Sequence, residues 1–128
     1  MTAGYVEFEF DLPGALLVRL IEVLDDLEIG PMLPEIVKMI PEEQGVYQLF
    51  LDGVLVYIGK TDADAGLAKR LARHGDKIQH RVGLDPARVS FKAVRLYVFT
   101  AMDLETELIR HYGGTKAVPW NGSGFGSN

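Results

Sequence analysis

Apolar and polar residues alternate strictly at the start of the chain, where Val6, Phe8, Phe10 and Leu12 are separated by Glu7, Glu9 and Asp11. A period of two puts one apolar face and one wet face on an extended strand, which is expected here as an edge strand broken by Pro13-Gly14. The period then changes. From Ala15 to Ile29, Leu16, Leu17, Leu20, Ile21, Val23, Leu24 and Leu27 recur at helical spacing, while Glu22, Asp25, Asp26 and Glu28 take the opposite face. Gly30-Pro31 stops that helix. A short apolar segment from Leu33 to Ile40 has Pro34 at a helix start and closes on Pro41.

Two apolar runs follow, Val46 to Leu51 and Val54 to Ile58, separated by Asp52-Gly53. Asp-Gly between β-branched and aromatic residues signals a hairpin with a type I′ turn. The ladder brings Tyr47 and Tyr57 into one neighbourhood, and Gly59 and Lys60 lead out of the second strand. After a polar loop, a helix is expected from about Gly66 to Lys77. Leu67 and Leu71 face the core, and Arg70 and His74, also four apart, project together from a neighbouring face. Lys69, Arg73 and Lys77 form a basic stripe beside them, and Lys77 to Val82, with His80 and Arg81, prolongs the helix after a bend at Gly75. Asp85-Pro86 marks a turn. Val89 to Thr100 reads as a central third strand, apolar on both faces toward its end. Thr100 caps a helix from Ala101 to about Tyr112, which ends at Gly113-Gly114.

The last helix carries two glutamates that its geometry separates. Glu107 shares the wet face with Asp103, Arg110 and His111, where an i, i+3 pair with Arg110 accounts for it. Glu105 falls on the inner face with Met102, Leu108, Ile109 and Tyr112. A carboxylate there needs a hydrogen bond, an ion pair or a metal ion, because unpaired burial is unfavourable. The tail, Pro119-Trp120-Asn121 and then Gly122 to Asn128, mixes a Gly-Ser pattern with Trp120 and Phe125, aromatics that ordinarily pack.

Composition narrows the function classes. The 128 residues suffice for one domain, and 48% hydrophobic content with mean hydropathy of +0.09 suits a soluble globular chain. No apolar run approaches the roughly 18 residues of a membrane helix, and Met1 to Phe10 lacks the pattern of a signal peptide. The absence of cysteine excludes disulfides and thiolate metal sites and fits a cytoplasmic protein. The net charge of −5 is unevenly spread. Residues 1–44 hold ten acids against Arg19 and Lys38, a balance of −8, whereas residues 60–95 hold nine bases against four acids, a balance of +5. A basic segment beside an acidic one is a plausible nucleic-acid footprint, and equally a solvated face of mixed charge.

The tripeptides Gly45-Val46-Tyr47 and Tyr57-Ile58-Gly59 resemble the paired motifs of the GIY-YIG nucleases, with valine for the first motif's isoleucine. The resemblance spans about residues 45–121 and extends to Arg70 and His74 on the following helix, Glu105 before Leu108-Ile109, and Asn121 after Pro119. The acidic N-terminal strand and helix, Lys60 and the ending Trp120 to Asn128 resemble the small type II restriction-endonuclease branch. Members of that branch continue past this ending, so the resemblance implies a chain extending beyond Asn128.

The resemblance implies an α/β (α+β) fold, a three-stranded antiparallel sheet flanked by helices, with residues 1–44 as an N-terminal strand–helix extension for structure, dimerisation or recognition and 45–128 as the nuclease core. It implies metal-dependent hydrolysis of double-stranded DNA, most simply as a type II restriction endonuclease. The alternatives are a nuclease toxin, a repair or recombination nuclease, or a nucleic-acid-binding module without catalysis. Glu105 would hold one divalent cation, Mg²⁺ or alternatively Mn²⁺. Tyr47 would be the general base, its phenolate favoured by a cation such as Lys60, Arg70 would grip the phosphate, His74 and Tyr57 would position phosphate or water, and Asn121 would orient the site. Lys69, Arg73, Lys77 and Arg81 would follow the DNA backbone. A homodimer suits a palindromic target. No small-molecule cofactor and no membrane association are expected, and His80 and His111 receive no role.

Overall fold

A computed structural model of the chain describes residues 3–5, 12–61, 65–79, 85–96 and 104–122. The expected strand at Val6 to Asp11, the capping residues Thr100 and Asp103, His80, Arg81, the end of the third strand at Tyr97 to Thr100, and Phe125 lie outside these residues. Helix α1 (Leu12–Asp26) is followed by a two-residue strand β1 (Gly30–Pro31) and a single helical turn α2 (Pro34–Val37). The hairpin β2 (Gly45–Leu51) and β3 (Val54–Lys60) comes next, then helix α3 (Leu67–Gln79). A 3₁₀ turn (Pro86–Arg88) leads into β4 (Val89–Arg95), and α4 (Leu104–His111) and the short α5 (Pro119–Gly122) complete the order.

The strands form one antiparallel sheet ordered β1-β4-β2-β3. The three expected strands are present, and Gly30-Pro31, expected only to stop a helix, adds a fourth. Proline lacks the N–H of a ladder and therefore belongs at an edge, where Pro31 stands opposite Ser90. Pro13-Gly14 does not break the chain before a helix as expected. Both lie in the first turn of α1, where a proline's missing N–H would have had no intrahelical partner. Helix α3 runs through Gly75 without a break, and Leu71, His74 and Ile78, spaced three and four apart, are all buried along one face of it.

The alternation of β2 divides the interior in two. Tyr47 and Leu49 face Leu67, Leu71 and Ile78 of α3, Val37 of α2, and Val89 and Phe91 of β4. Val46 faces the other way, with Ile58, into a second cluster made by Leu20 and Leu24 of α1 and Leu104 and Leu108 of α4. Residues 12–44 therefore contribute to both clusters. Polar contacts fasten the end of α1 as well. Lys92 Nζ donates to the Leu24 carbonyl at 2.6 Å, which suits a cation at a helix C-terminus, and the Tyr112 hydroxyl donates to Asp25 Oδ1 at 2.6 Å. No described helix is long and apolar enough to cross a membrane.

Asp52 and Gly53 have φ of 52° and 80°, as a type I′ turn requires. The ladder is not regular, however. Leu51 pairs with Val54 and Phe50 with Leu55, but Leu49 pairs with Tyr57 and Tyr47 with Gly59. Val56 is the extra residue of a β-bulge, and beyond it every β3 side chain changes face relative to an unbroken ladder.

Because α1 closes the core against α4, Leu24→Ala is expected to lower the free energy of unfolding by about 3 kcal/mol, as cavities in well-packed cores do. Urea denaturation of the two proteins measures it.

Candidate active site

The bulge at Val56 brings the two tyrosines together. A regular hairpin would set Tyr57 opposite Gln48, on the face of Val46. With the extra residue it stands opposite Leu49 and beside Tyr47. The two rings lie 6.0 Å apart between centroids. His74, from the second turn of α3, completes a triangle, with its ring 5.4 Å from Tyr47 and 5.1 Å from Tyr57. The Tyr47 hydroxyl is 2.7 Å from His74 Nε2 in a buried hydrogen bond.

Gly59 makes room for this arrangement. A Cβ on Gly59 would collide with the Tyr47 ring, standing 2.9 Å from Cε1 and closer still to Cζ and the hydroxyl. The glycine of the second motif is thus where the phenol of the first one lies flat over the neighbouring strand.

Arg70, one turn before His74, is close enough for its positive charge to act on both phenols. Burial pushes the Tyr47 hydroxyl well above the ordinary phenol pKa, and the Tyr57 phenol adds to this while Arg70 opposes it. Burial raises Tyr57 too, and the negative charge of Glu105 raises it further, again against Arg70. His74 moves the opposite way. Burial first, then the positive charges of Arg70 and Lys77, lower its pKa from 6.5 to about 3. At neutral pH the cluster therefore holds two protonated phenols and one uncharged imidazole.

Glu105 reaches this cluster from the other layer. Leu104 and Leu108 bury α4 against Val46 and Ile58, and β3 lies at the edge of the described sheet. Half-buried beside that edge, Glu105 is close enough for its charge to act on Tyr57. Glu107, by contrast, accepts from Arg110 at 3.0 Å, the pairing expected from the sequence.

Asn121 works on the backbone. Its Oδ1 accepts from Ile58 N at 2.9 Å and its Nδ2 donates to the Ile58 carbonyl at 2.8 Å. One amide side chain thus takes the place of a further strand at the residue between Tyr57 and Gly59. Trp120 beside it packs against the Tyr47 cluster, so the tail is anchored at least to Asn121.

Lys60 stands elsewhere. It ends β3 opposite Val46, is exposed, and belongs by register to the face away from Tyr47. The cation whose charge lowers the Tyr47 phenol is Arg70. On α3, Lys69 and Arg73 are exposed and Lys77 is half-buried; Arg81 lies outside the described residues.

A divalent cation can be tested against these donors. Among the described residues no group of three or more His, Cys, Asp or Glu stands together. The acid acting on Tyr57 is Glu105, and a lone carboxylate suits a hard, hydrated cation that keeps most of its waters. No protein-family model matches the chain, and neither does any curated protein.

His74 binds a proton less readily in the folded chain than unfolded. Its contribution to stability is complete above about pH 6.5 and is lost as pH falls toward about 3. A His74→Leu protein is therefore expected to show a shallower decline in melting temperature between pH 6.5 and 4 than the unaltered chain. Melting curves at half-unit pH steps check this.

Proposed function

We propose that the chain is a metal-dependent DNA endonuclease of the type II restriction kind. What carries the reading is the niche shared by Tyr47, Tyr57, Arg70 and His74, with Glu105 at its margin. Two phenols, an uncharged imidazole and a guanidinium in one part-buried cluster are a poor choice for stability alone, since burying polar groups is costly unless each is well partnered. They are well suited to moving a proton beside an anion. The resemblance to GIY-YIG nucleases supports the same reading, with every motif residue but Lys60 belonging to the niche or its frame.

The phosphodiester binds at Arg70, whose paired donors fit two phosphate oxygens. Tyr47 does not need to become a phenolate first. In the tautomer that carries its proton on Nδ1, His74 accepts from the Tyr47 hydroxyl through Nε2, so the Tyr47 oxygen can accept a proton from the attacking water while its own passes to the imidazole. The positive charge of Arg70 is one of the factors that make free His74 a weak base. A bound phosphate offsets that charge, and His74 becomes more basic when substrate is in place. Tyr57, hydrogen-bonded within the same group, orients the phosphate. A cation at Glu105 would supply positive charge to the phosphate oxygens as the transition state forms. Asn121 keeps the Tyr57–Gly59 backbone in position, and the exposed Lys69 and Arg73 suit the flanking DNA backbone, contacts that position without reading sequence.

Supercoiled plasmid incubated with the protein and Mg²⁺ is expected to give discrete fragments, and Glu105→Ala to slow the reaction by at least about a hundredfold while the circular-dichroism spectrum stays unchanged. Failure to cut, or a Glu105→Ala protein cutting at the original rate, contradicts the reading. Nicking or a smear contradicts the restriction assignment and favours a toxin or repair nuclease.

A further inference from the structure

Arg70 and His74 both stand in the first two turns of α3, so the seating of that helix's first turn decides where they point. A helix begins with four backbone N–H groups that lack intrahelical partners. A Ser, Thr, Asp or Asn just before the first turn ordinarily takes one of them. Here that position is Gly66, whose carbonyl accepts the first helical bond from Arg70 N at 3.0 Å.

A capping side chain does not fit at Gly66. Its Cβ would stand 2.9 Å from the backbone carbon of Glu42 and 2.9 Å from the backbone nitrogen of Glu43, and would also meet Glu42 Oε1. The segment that crowds out the cap replaces it. Glu42 Oε2 accepts from Lys69 N at 3.1 Å, and the Glu43 carbonyl accepts from Leu67 N at 2.9 Å. The Glu42 carboxylate also lies at the positive end of the helix dipole.

We infer that Glu42 is a positioning residue for the proposed active site. It caps α3 from the loop that leads into β2, and so ties the helix carrying Arg70 and His74 to the strand carrying Tyr47. Both partners of the 2.7 Å Tyr47–His74 hydrogen bond are thereby referred to one short segment, residues 42–47. The catalytic consequence rests on the nuclease reading, whereas the geometric one does not.

The test compares Glu42→Ala and Glu42→Gln with the unaltered full chain. Gln keeps an acceptor oxygen at the same reach, and Ala removes it. Ala is expected to slow single-turnover plasmid cleavage about tenfold, leave DNA affinity within about twofold, and shift the ¹⁵N signals of the His74 ring. Gln is expected to restore both the rate and the ring signals. Unchanged ring signals in Glu42→Ala, or a Gln protein as impaired as the Ala one, overturns the inference. The ring signals are recorded without DNA. A chain that cleaves nothing therefore defeats the nuclease reading while the signals still decide the role of Glu42.

Discussion

A single extra residue in β3 governs the site. Side chains alternate along a strand, so whichever face Tyr57 occupies is decided by the count of residues between the turn and itself. The Asp52-Gly53 turn pairs Leu51 with Val54, and from there an unbroken ladder would carry Tyr57 into the α1–α4 cluster, on the face that Ile58 now occupies. The bulge at Val56 moves it across to Tyr47 and His74. The same shift sets Gly59 opposite Tyr47, where the absent side chain leaves space for the phenol. Bulges of this kind re-aim side chains at functional sites elsewhere.

The cluster is assembled from both layers of the fold. Strand β2 contributes Tyr47, β3 contributes Tyr57, and α3 contributes Arg70 and His74 from the layer above. Glu105 acts on Tyr57 through its charge from α4, in the layer below. The β3 edge would otherwise offer unpaired backbone groups, and at Ile58 the amide of Asn121 takes both of them. Helix α1 is part of this frame. It buries Leu20 and Leu24 against α4 and is fastened through Lys92 and Tyr112.

Most of the elements were legible because each has a local cause. The Asp-Gly turn, the Leu67–Leu71 face of α3, Pro34 at the start of α2, and Gly113-Gly114 at the end of α4 follow from short-range chemistry, and the spacing of Arg70 and His74 places them on one face. The bulge was not legible, since Val54 to Ile58 is apolar throughout and lacks the alternation that would reveal a change of register. Gly30-Pro31 reads as a helix stop, and its pairing with β4 is a tertiary event. The start of α1 at Leu12 was hidden by a proline that serves equally as breaker and as first-turn residue. Glu42 carried no signal at all, because its partner lies 27 residues further along the chain. The proximity of Tyr47 and Tyr57 was anticipated, but through a regular ladder that would have separated them.

In the proposed reading, Glu105 and the Tyr47–Tyr57–His74 cluster form one site that would hold a divalent cation. Titration with Mn²⁺, followed by proton NMR of the aromatic rings, tests it most directly. A paramagnetic ion at Glu105 should broaden the ring signals of Tyr57, Tyr47 and His74 saturably, and Glu105→Ala should abolish the effect. Sharp signals throughout the titration, or broadening that persists in the Glu105→Ala protein, would contradict it.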